Sequence, residues 1–285
     1  SKGATVLQML RVMLGEAVFW EGIRHYTKTH ARSLVRTHDL QESMEAVSGR
    51  ELGWFFQQWV ELPHVPRVTV STRWADGVLT VTVRQKTSEE RPRYTIPFEV
   101  EIGGDGGGIH AAVLRDEKLQ IQIPLETAPP YVAFDPKAGV LAELEYEQEP
   151  EAWTAQLQSD SPAAVFRAIE ALSETDHSEP LAALLADTTA HPLVRSEAAE
   201  ALGEQRRTDL LLAHADDGHA RVRRAVILAL GRGTDGTAMT VLERAFIGDR
   251  NPDVRAAALD SIESLAKTRS VTLARSAVRS SNAAI

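Results

Sequence analysis

The chain has no cysteine among its 285 residues. Disulfides, thiolate metal sites and cysteine nucleophiles are therefore excluded. The compartment stays open between cytoplasmic and exported, because a chain without thiols tolerates reducing and oxidising surroundings alike. No apolar run approaches the roughly 18 residues that a membrane-crossing helix needs, so no membrane span is expected. Positive charge is also scarce. The net charge is -9, and no segment of domain size is basic. Neither nucleic acid nor an anionic lipid surface is thus an expected partner. Only the stretch after Ala266 is locally positive, with Lys267, Arg269, Arg275 and Arg279 and no acids; a frayed end is its simplest reading. His-Glu-x-x-His and Gly-x-Ser-x-Gly are both missing, which removes the usual signatures of a zinc peptidase centre and of a serine nucleophile elbow. The chain opens on Ser1 with no start methionine or signal peptide and runs straight into an apolar helical pattern. That is expected of a chain cut from a larger protein, and it would hide any targeting signal.

What is present divides into three regions. Residues 1–63 have helical period. Val6, Leu10 and Met13, with Leu7 and Leu14, make a broad apolar surface that Gly15 should end. Phe19, Ile23 and Tyr26 follow at i, i+4, i+7 with Trp20 beside them. Thr37 is the expected N-cap of a third helix, with Asp39 in its first turn. Leu40, Met44 and Val47 line that helix up to Gly49, and Leu52, Phe55, Phe56 and Trp59 form the next apolar stripe. Such broad faces require a partner surface, expected on a preceding segment. Pro63 and Pro66 end the helices.

Residues 64–148 switch to period two. Val68, Val70, Thr72 and Trp74 alternate, Asp76-Gly77 signals a hairpin, and Leu79, Val81 and Val83 follow. Ile96, Phe98, Val100 and Ile102 share a face. The Gly103–Gly108 stretch lacks the Lys-Ser/Thr of a phosphate loop and reads as a hairpin loop. Ala111 and Val113, Leu119 to Ile123, Val132 and Phe134, and Val140 to Tyr146 bring the total to about seven strands, an antiparallel β-sandwich.

Residues 149–285 return to helix and repeat internally. Pro192-Leu193-Val194-Arg195, Ala220-Arg221-Val222-Arg223 and Pro252-Asp253-Val254-Arg255 each lead into small residues, and a degenerate first copy runs from Pro162 to Leu172. The closing residues Leu172, Leu202, Leu230 and Ile262 are 30, 28 and 32 apart. The period resembles HEAT-type repeats of the short, phycobilisome-lyase-like kind. In these, stacked helix pairs bury together a face that no single repeat buries alone, giving an α-α superhelix. The fold class expected is thus multidomain α and β: a helical bundle, an antiparallel β-sandwich and an α-α superhelix of HEAT-like repeats.

Three local patterns carry a wider resemblance. Ser1-Lys2-Gly3-Ala4 followed by Val6-Leu7 and Met9-Leu10 resembles the Tyr-x-Lys-Gly-Ala helix of the aminopeptidase N family of zinc metallopeptidases. Ser48-Gly49-Arg50-Glu51-Leu52 with Phe55-Phe56-Gln57-Gln58-Trp59 is similar to that family's Ser-Gly-x-x-Leu and Phe-Phe-x-x-Trp stretch. Pro63-His64-Val65-Pro66 is similar to its Pro-Gly-x-Pro, with His64 in place of the glycine, and Asp135-Pro136 matches the end of its sandwich. The resemblance covers residues 1 to about 146, and it implies that the helical bundle of residues 1–63 is the remnant of a catalytic domain. It implies a parent that removes amino-terminal residues from peptide substrates with a zinc ion held by His-Glu-x-x-His and a downstream glutamate, the motif's glutamate activating zinc-bound water. None of those residues occurs here, nor does the family's Met-Glu-Asn. The fragment is accordingly expected to hold no zinc, no catalytic residue and no metal ligand of its own, with substrate-binding residues unassigned. Its expected part is to shape and enclose the parent's active-site cleft. The alternative is a catalytically dead relative whose HEAT repeats serve as a scaffold for a protein partner.

Individual residues have plainer readings beside the functional ones. His25 and His30, and likewise His214 and His219, are five apart and so do not share a helix face as ligands at i, i+4 would; solvated or capping roles are simpler. His64 reads as a turn residue. Trp20, Phe55, Phe56 and Trp59 have core spacing. Arg195, Arg223 and Arg255 recur at equivalent positions. They read as internal partners of acids in neighbouring repeats, such as Asp217 and Asp253, rather than as a basic surface.

Overall fold

The computed structural model describes residues 2–88, 91–233 and 237–265, so the basic stretch after Ala266 lies outside the described residues. The chain forms two units, residues 1–148 and 149–285.

The first unit opens with helices α1 (Lys2–Leu14), α2 (Glu16–Thr29), α3 (Thr37–Ser48) and a short α4 (Gly53–Phe56), which continues into a π-helical turn, Gln57–Glu61. Gly15, at φ 83°, breaks α1 from α2, and Gly49, at φ 65°, closes α3 in the left-handed conformation that glycine adopts most freely. Thr37 is the first residue of α3 rather than its cap. Arg36 stands before it in an extended conformation, and its backbone N–H donates to Asp39 Oδ2 at 2.6 Å. The acid supplies the reach-back half of a capping box.

Seven strands follow: β1 (Arg67–Ala75), β2 (Val78–Lys86), β3 (Ile96–Ile102), β4 (Gly108–Leu114), β5 (Lys118–Pro124), β6 (Val132–Phe134) and β7 (Glu143–Tyr146). They form two sheets, ordered β5-β2-β1-β7 and β4-β3-β6. Asp76 and Gly77 both have positive φ, 51° and 75°, and Ala75 pairs with Val78. This is the primed turn that matches the twist of a two-residue hairpin. Val68, Val70, Leu79, Val81 and Val83 on one sheet, and Ile96, Phe98, Val100, Val132 and Phe134 on the other, belong to one buried cluster. One pairing departs from the expected antiparallel pattern: β1 and β7 run parallel, Arg67 opposite Glu143 and Val70 opposite Tyr146. No hairpin sets the direction of β7, because five strands separate it from β1 in the chain, and local turn signals do not report on such a pair.

The opening helices share the sandwich core. Val6, Met9, Leu10, Phe55, Phe56 and Trp59 lie in the same cluster as the strand residues. Gln58 ties the two blocks with a double bond to one residue: its Nε2 donates to the Thr95 carbonyl at 2.8 Å, and its Oε1 accepts from Thr95 N at 2.7 Å. Trp59 packs on Tyr94 with ring centroids 5.2 Å apart. Much of the partner surface expected on a preceding segment is therefore supplied by the sandwich.

The second unit contains α5 (Pro150–Gln156), α6 (Pro162–Ser173), α7 (Ser178–Ala186), α8 (Pro192–Glu204), α9 (Thr208–Leu212), α10 (Ala220–Leu230), α11 (Thr237–Gly248) and α12 (Pro252–Leu265). Helices α6, α8, α10 and α12 pack successively, each with a shorter or flanking helix between it and the next in sequence. The repeat's closing residues Leu172, Leu202, Leu230 and Ile262 are all fully buried. Small residues set the spacing. A Cβ on Gly203 would lie 2.7 Å from Ala229 Cβ, and one on Gly231 would lie 2.6 Å from Ser261 Oγ and 3.0 Å from Ser261 Cα. Ser261 Oγ in turn donates to the Ile227 carbonyl at 3.0 Å, a buried bond between α12 and α10.

Candidate functional site

Two features stand out as surfaces that could act: an apolar groove on the first unit and a ladder of charged pairs along the second. The groove, of about 450 Å³, is lined mainly by Val6, Leu7, Leu40, Phe56, Trp59 and Val60. It arises from sequence spacing. Helix α1 is apolar around more than one face, so when Met9 and Leu10 turn to the core, Leu7 is left 39% exposed, and Val60 across the groove is 40% exposed. Trp59 is fully buried, yet its indole N–H has no hydrogen-bond acceptor among the described residues. Trp20, expected in the core, is instead 45% exposed. Phe19 takes the inward position of α2. Trp20 turns out, its indole N–H donating to Glu16 Oε2 at 2.8 Å and the Arg11 guanidinium lying 5.8 Å from its ring centroid. Trp74 likewise ends the β1 alternation half-exposed, its indole N–H donating to the Leu125 carbonyl.

In the second unit the three recurring arginines are buried, and Arg195 and Arg223 are paired with aspartates. Arg195 holds Asp217, with Nη2 to Oδ2 at 2.5 Å, and its Nε donates to the Leu185 carbonyl. Arg223 clasps Asp249 through Nε and Nη2 at 2.8 and 3.0 Å, and its Nη1 donates to the Asp217 carbonyl at 2.8 Å. Each aspartate also accepts a backbone N–H two residues on: Asp217 from His219 and Asp249 from Asn251, both at 2.8 Å. Burial raises the Asp217 carboxyl, but the bonds from Arg195 and from the His219 N–H outweigh it and leave the group below its ordinary value. The bond from Arg223 does the same for Asp249 against its burial. Of the two acids expected to meet the recurring arginines, Asp217 does so, with Arg195, and Asp253 does not. The structure places Asp253 exposed on the first turn of α12, and the acid of this loop that pairs is Asp249.

The histidines are used locally. His191 and His219 cap α8 and α10, their Nδ1 atoms accepting from Leu193 N and Arg221 N at 3.2 Å each. Asn251 does the same for α12, and Ser161 for α6. His214 is half-buried. Its imidazole is held below its ordinary value by burial and then by Arg195, with Asp217 opposing. His25 is exposed on α2, and His30 packs its ring on Tyr26. The exposed His64 offers its carbonyl to the Tyr94 hydroxyl in the turn before β1. Among the described residues no three His, Asp or Glu side chains converge as a metal would need. Gly104, Gly106 and Gly108 all have positive φ in the loop that joins β3 to β4. Asp135, at φ 53°, accepts from Gly139 N and Val140 N and closes the turn after β6.

Residues 1–59 match the peptidase family M1 domain, and residues 180–263 and 208–285 match HEAT repeats. The chain is a relative of the M1 aminopeptidases. Aminopeptidase N of Streptomyces lividans is 31% identical over 154 residues, covering 50% of this chain and 17% of that protein. Aminopeptidase N of Escherichia coli K12 is 30% identical over 116 residues, 38% of this chain and 13% of that protein. Aminopeptidase M1 of Arabidopsis thaliana is 37% identical over 78 residues, 27% of this chain and 9% of that protein. This M1 relative thus spans less than a fifth of the length of those curated proteins. Its fold is similar to that of Legionella pneumophila aminopeptidase A in complex with aspartic acid, with a TM-score of 0.76 at 15% identity over 95% of this chain and 40% of that one.

Proposed function

We propose that this M1 relative is the supporting, non-catalytic part of a zinc-dependent aminopeptidase. The observation that carries the reading is the pairing of an M1 match on residues 1–59 with a sequence that holds no His-Glu-x-x-His. The zinc centre would be borne by polypeptide outside residues 1–285. This chain's own contribution is structural. The apolar groove beside Leu7 and Val60 is a seat for an apolar element of the catalytic part, and burying it there would stabilise by about 25 cal/mol per Å² removed from water. The helical array would restrict the cleft to short peptides, since trimming one residue at a time needs an enclosed pocket. In this reading the array excludes and orients rather than reacts.

Zinc titration of the purified chain tests this reading. The expected result is no stoichiometric site tighter than ~1 µM. One equivalent held more tightly would place a metal centre within these residues and sink the proposal.

A further inference from the structure

The two sheets of the sandwich end on edges of opposite character. Strand β5, at the edge of one sheet, turns Lys118, Gln120, Gln122 and Pro124 to solvent. Charge and proline of this kind keep a free edge from pairing with another chain. Strand β4, at the edge of the other sheet, has no charged residue and no proline along Gly108–Leu114. Its exposed side chains are Ile109, Ala111 and Val113, with Ile109 55% and Val113 37% exposed. Ala111 and Val113 also line a groove of about 300 Å³ to which Met9 and Met13 contribute, so the apolar surface extends beyond the strand itself.

The backbone of the same three residues is open. Asp135 N donates to the Glu99 carbonyl at 2.8 Å, and Gly103 N donates to the Tyr131 carbonyl at 3.1 Å. Glu99, and by alternation Pro97 and Glu101, therefore direct their backbone groups to the β6 side of β3. In an antiparallel ladder a residue that faces one neighbouring strand faces away from the other. Pro97, Glu99 and Glu101 stand opposite Val113, Ala111 and Ile109. These are the non-hydrogen-bonded pairs of β3 and β4, so Ile109, Ala111 and Val113 point their N–H and C=O groups away from β3. Among the described residues no strand pairs on that side. The edge thus offers unused donors and acceptors at strand spacing beside an apolar row.

We propose that β4 pairs antiparallel with β4 of a second copy of this chain, about a two-fold axis through Ala111. The strand is self-complementary in this register. Ala111 meets Ala111 of the second copy, and Ile109 meets Val113 on either side of the axis, each pair exchanging both N–H···O=C bonds. Opposed side chains of neighbouring strands lie on one face, so the two apolar rows join. The charges at the strand ends agree. Arg93 engages Asp116 and Glu117 at 3.6 and 3.7 Å. Arg115 and Lys118, beside them, have no acid within ion-pair distance among the described residues. The register sets Arg115 of one copy opposite Gly107 of the other, two residues from the exposed Asp105 at the tip of the β3–β4 hairpin. Symmetry repeats this contact at the other end. The inference rests on the sandwich alone and stands whether or not the peptidase reading does.

Sedimentation velocity and NMR amide exchange on the purified chain test the pairing. The interface is small and of the transient class, so monomer at ~5 µM and dimer at ~500 µM are expected. The N–H groups of Ile109, Ala111 and Val113 should exchange at least about fivefold more slowly in the dimer. Those of His110 and Ala112, which face β3, should be protected at both concentrations. Val113→Lys places a charge on the exposed row, and Ala111→Pro removes an outward N–H without touching the β3 ladder. Each should weaken the dimer at least about tenfold, and Gln120→Lys on β5 should not. A chain that stays monomeric at ~500 µM would overturn the proposal. So would a dimer whose three outward amides remain unprotected, or one that survives either β4 substitution. Slow exchange at His110 and Ala112 shows that β4 still pairs with β3 in a variant; where Ala111→Pro loses it, Val113→Lys decides.

Discussion

At Arg223 the side chain is 6% exposed and that of its partner Asp249 10%. Removing one member of such a pair leaves a desolvated charge behind, which is far more costly than the pair's net worth. Arg223→Ala should therefore lower the stability of the second unit by about 3–5 kcal/mol in a denaturant melt; a loss below ~1 kcal/mol would mean that water reaches the pair. Asp217 and Asp249 both titrate below the ordinary value. Their contribution is present above the ordinary aspartate value of 3.8 and is lost as pH falls through the depressed one. The sequence showed which arginines recur, and acids meet two of them, Arg195 and Arg223. It did not show that Asp249 rather than Asp253 is the partner, because both sit in the same short loop. The choice is set by Asp253 being drawn onto the first turn of α12, where its N–H is capped by Asn251. Trp20 is the converse case: an aromatic at core spacing that a neighbouring Phe19 displaces outward, a competition that spacing alone does not decide.

Among the elements, the helix pairs of the second unit owe their spacing to absent side chains. Gly203 and Gly231 each stand eight residues after a ladder arginine, and each faces the next helix too closely for a Cβ. Gly231→Ala would push into Ser261 Cβ and Cα, and about 1–3 kcal/mol of stability should be lost. Gly218→Ala, where nothing lies within 4 Å, should change stability by less than ~0.5 kcal/mol. Equal effects at the two sites would contradict the close-packing account. Periodicity was a good guide to this level. The hairpin at Asp76-Gly77, the end of α1 at Gly15 and the alternating burial of β3 all follow from local chemistry. The parallel β1–β7 pair was not legible, since non-local strand direction has no turn to announce it. The docking of the opening helices on the sandwich was hidden too, because an apolar face says that it needs a partner and not which one.

For the molecule as a whole, the two units should respond differently to acid. In the first, Glu143 on β7 is held at a pKa of about 2 by hydrogen bonds from Arg91 and then Arg67, the latter across the parallel pair. A folded-state value below the ordinary one, near 4.5, means stabilisation that is present above about pH 4.5 and is lost as pH falls toward about 2. Glu143→Gln should flatten that part of the acid-unfolding curve of the first unit and leave the second unit's unchanged. An unaltered curve would show the three-residue cluster to be fully screened.

Hydrolysis of aminoacyl chromogenic substrates by the purified chain, with and without equimolar zinc, bears most directly on the account. No metal-dependent turnover above the uncatalysed rate is predicted, because the groups that bind and activate zinc-bound water in such enzymes have no counterpart among these residues. Zinc-dependent turnover in the ordinary enzymatic range, on the order of 1–10³ per second, would contradict it.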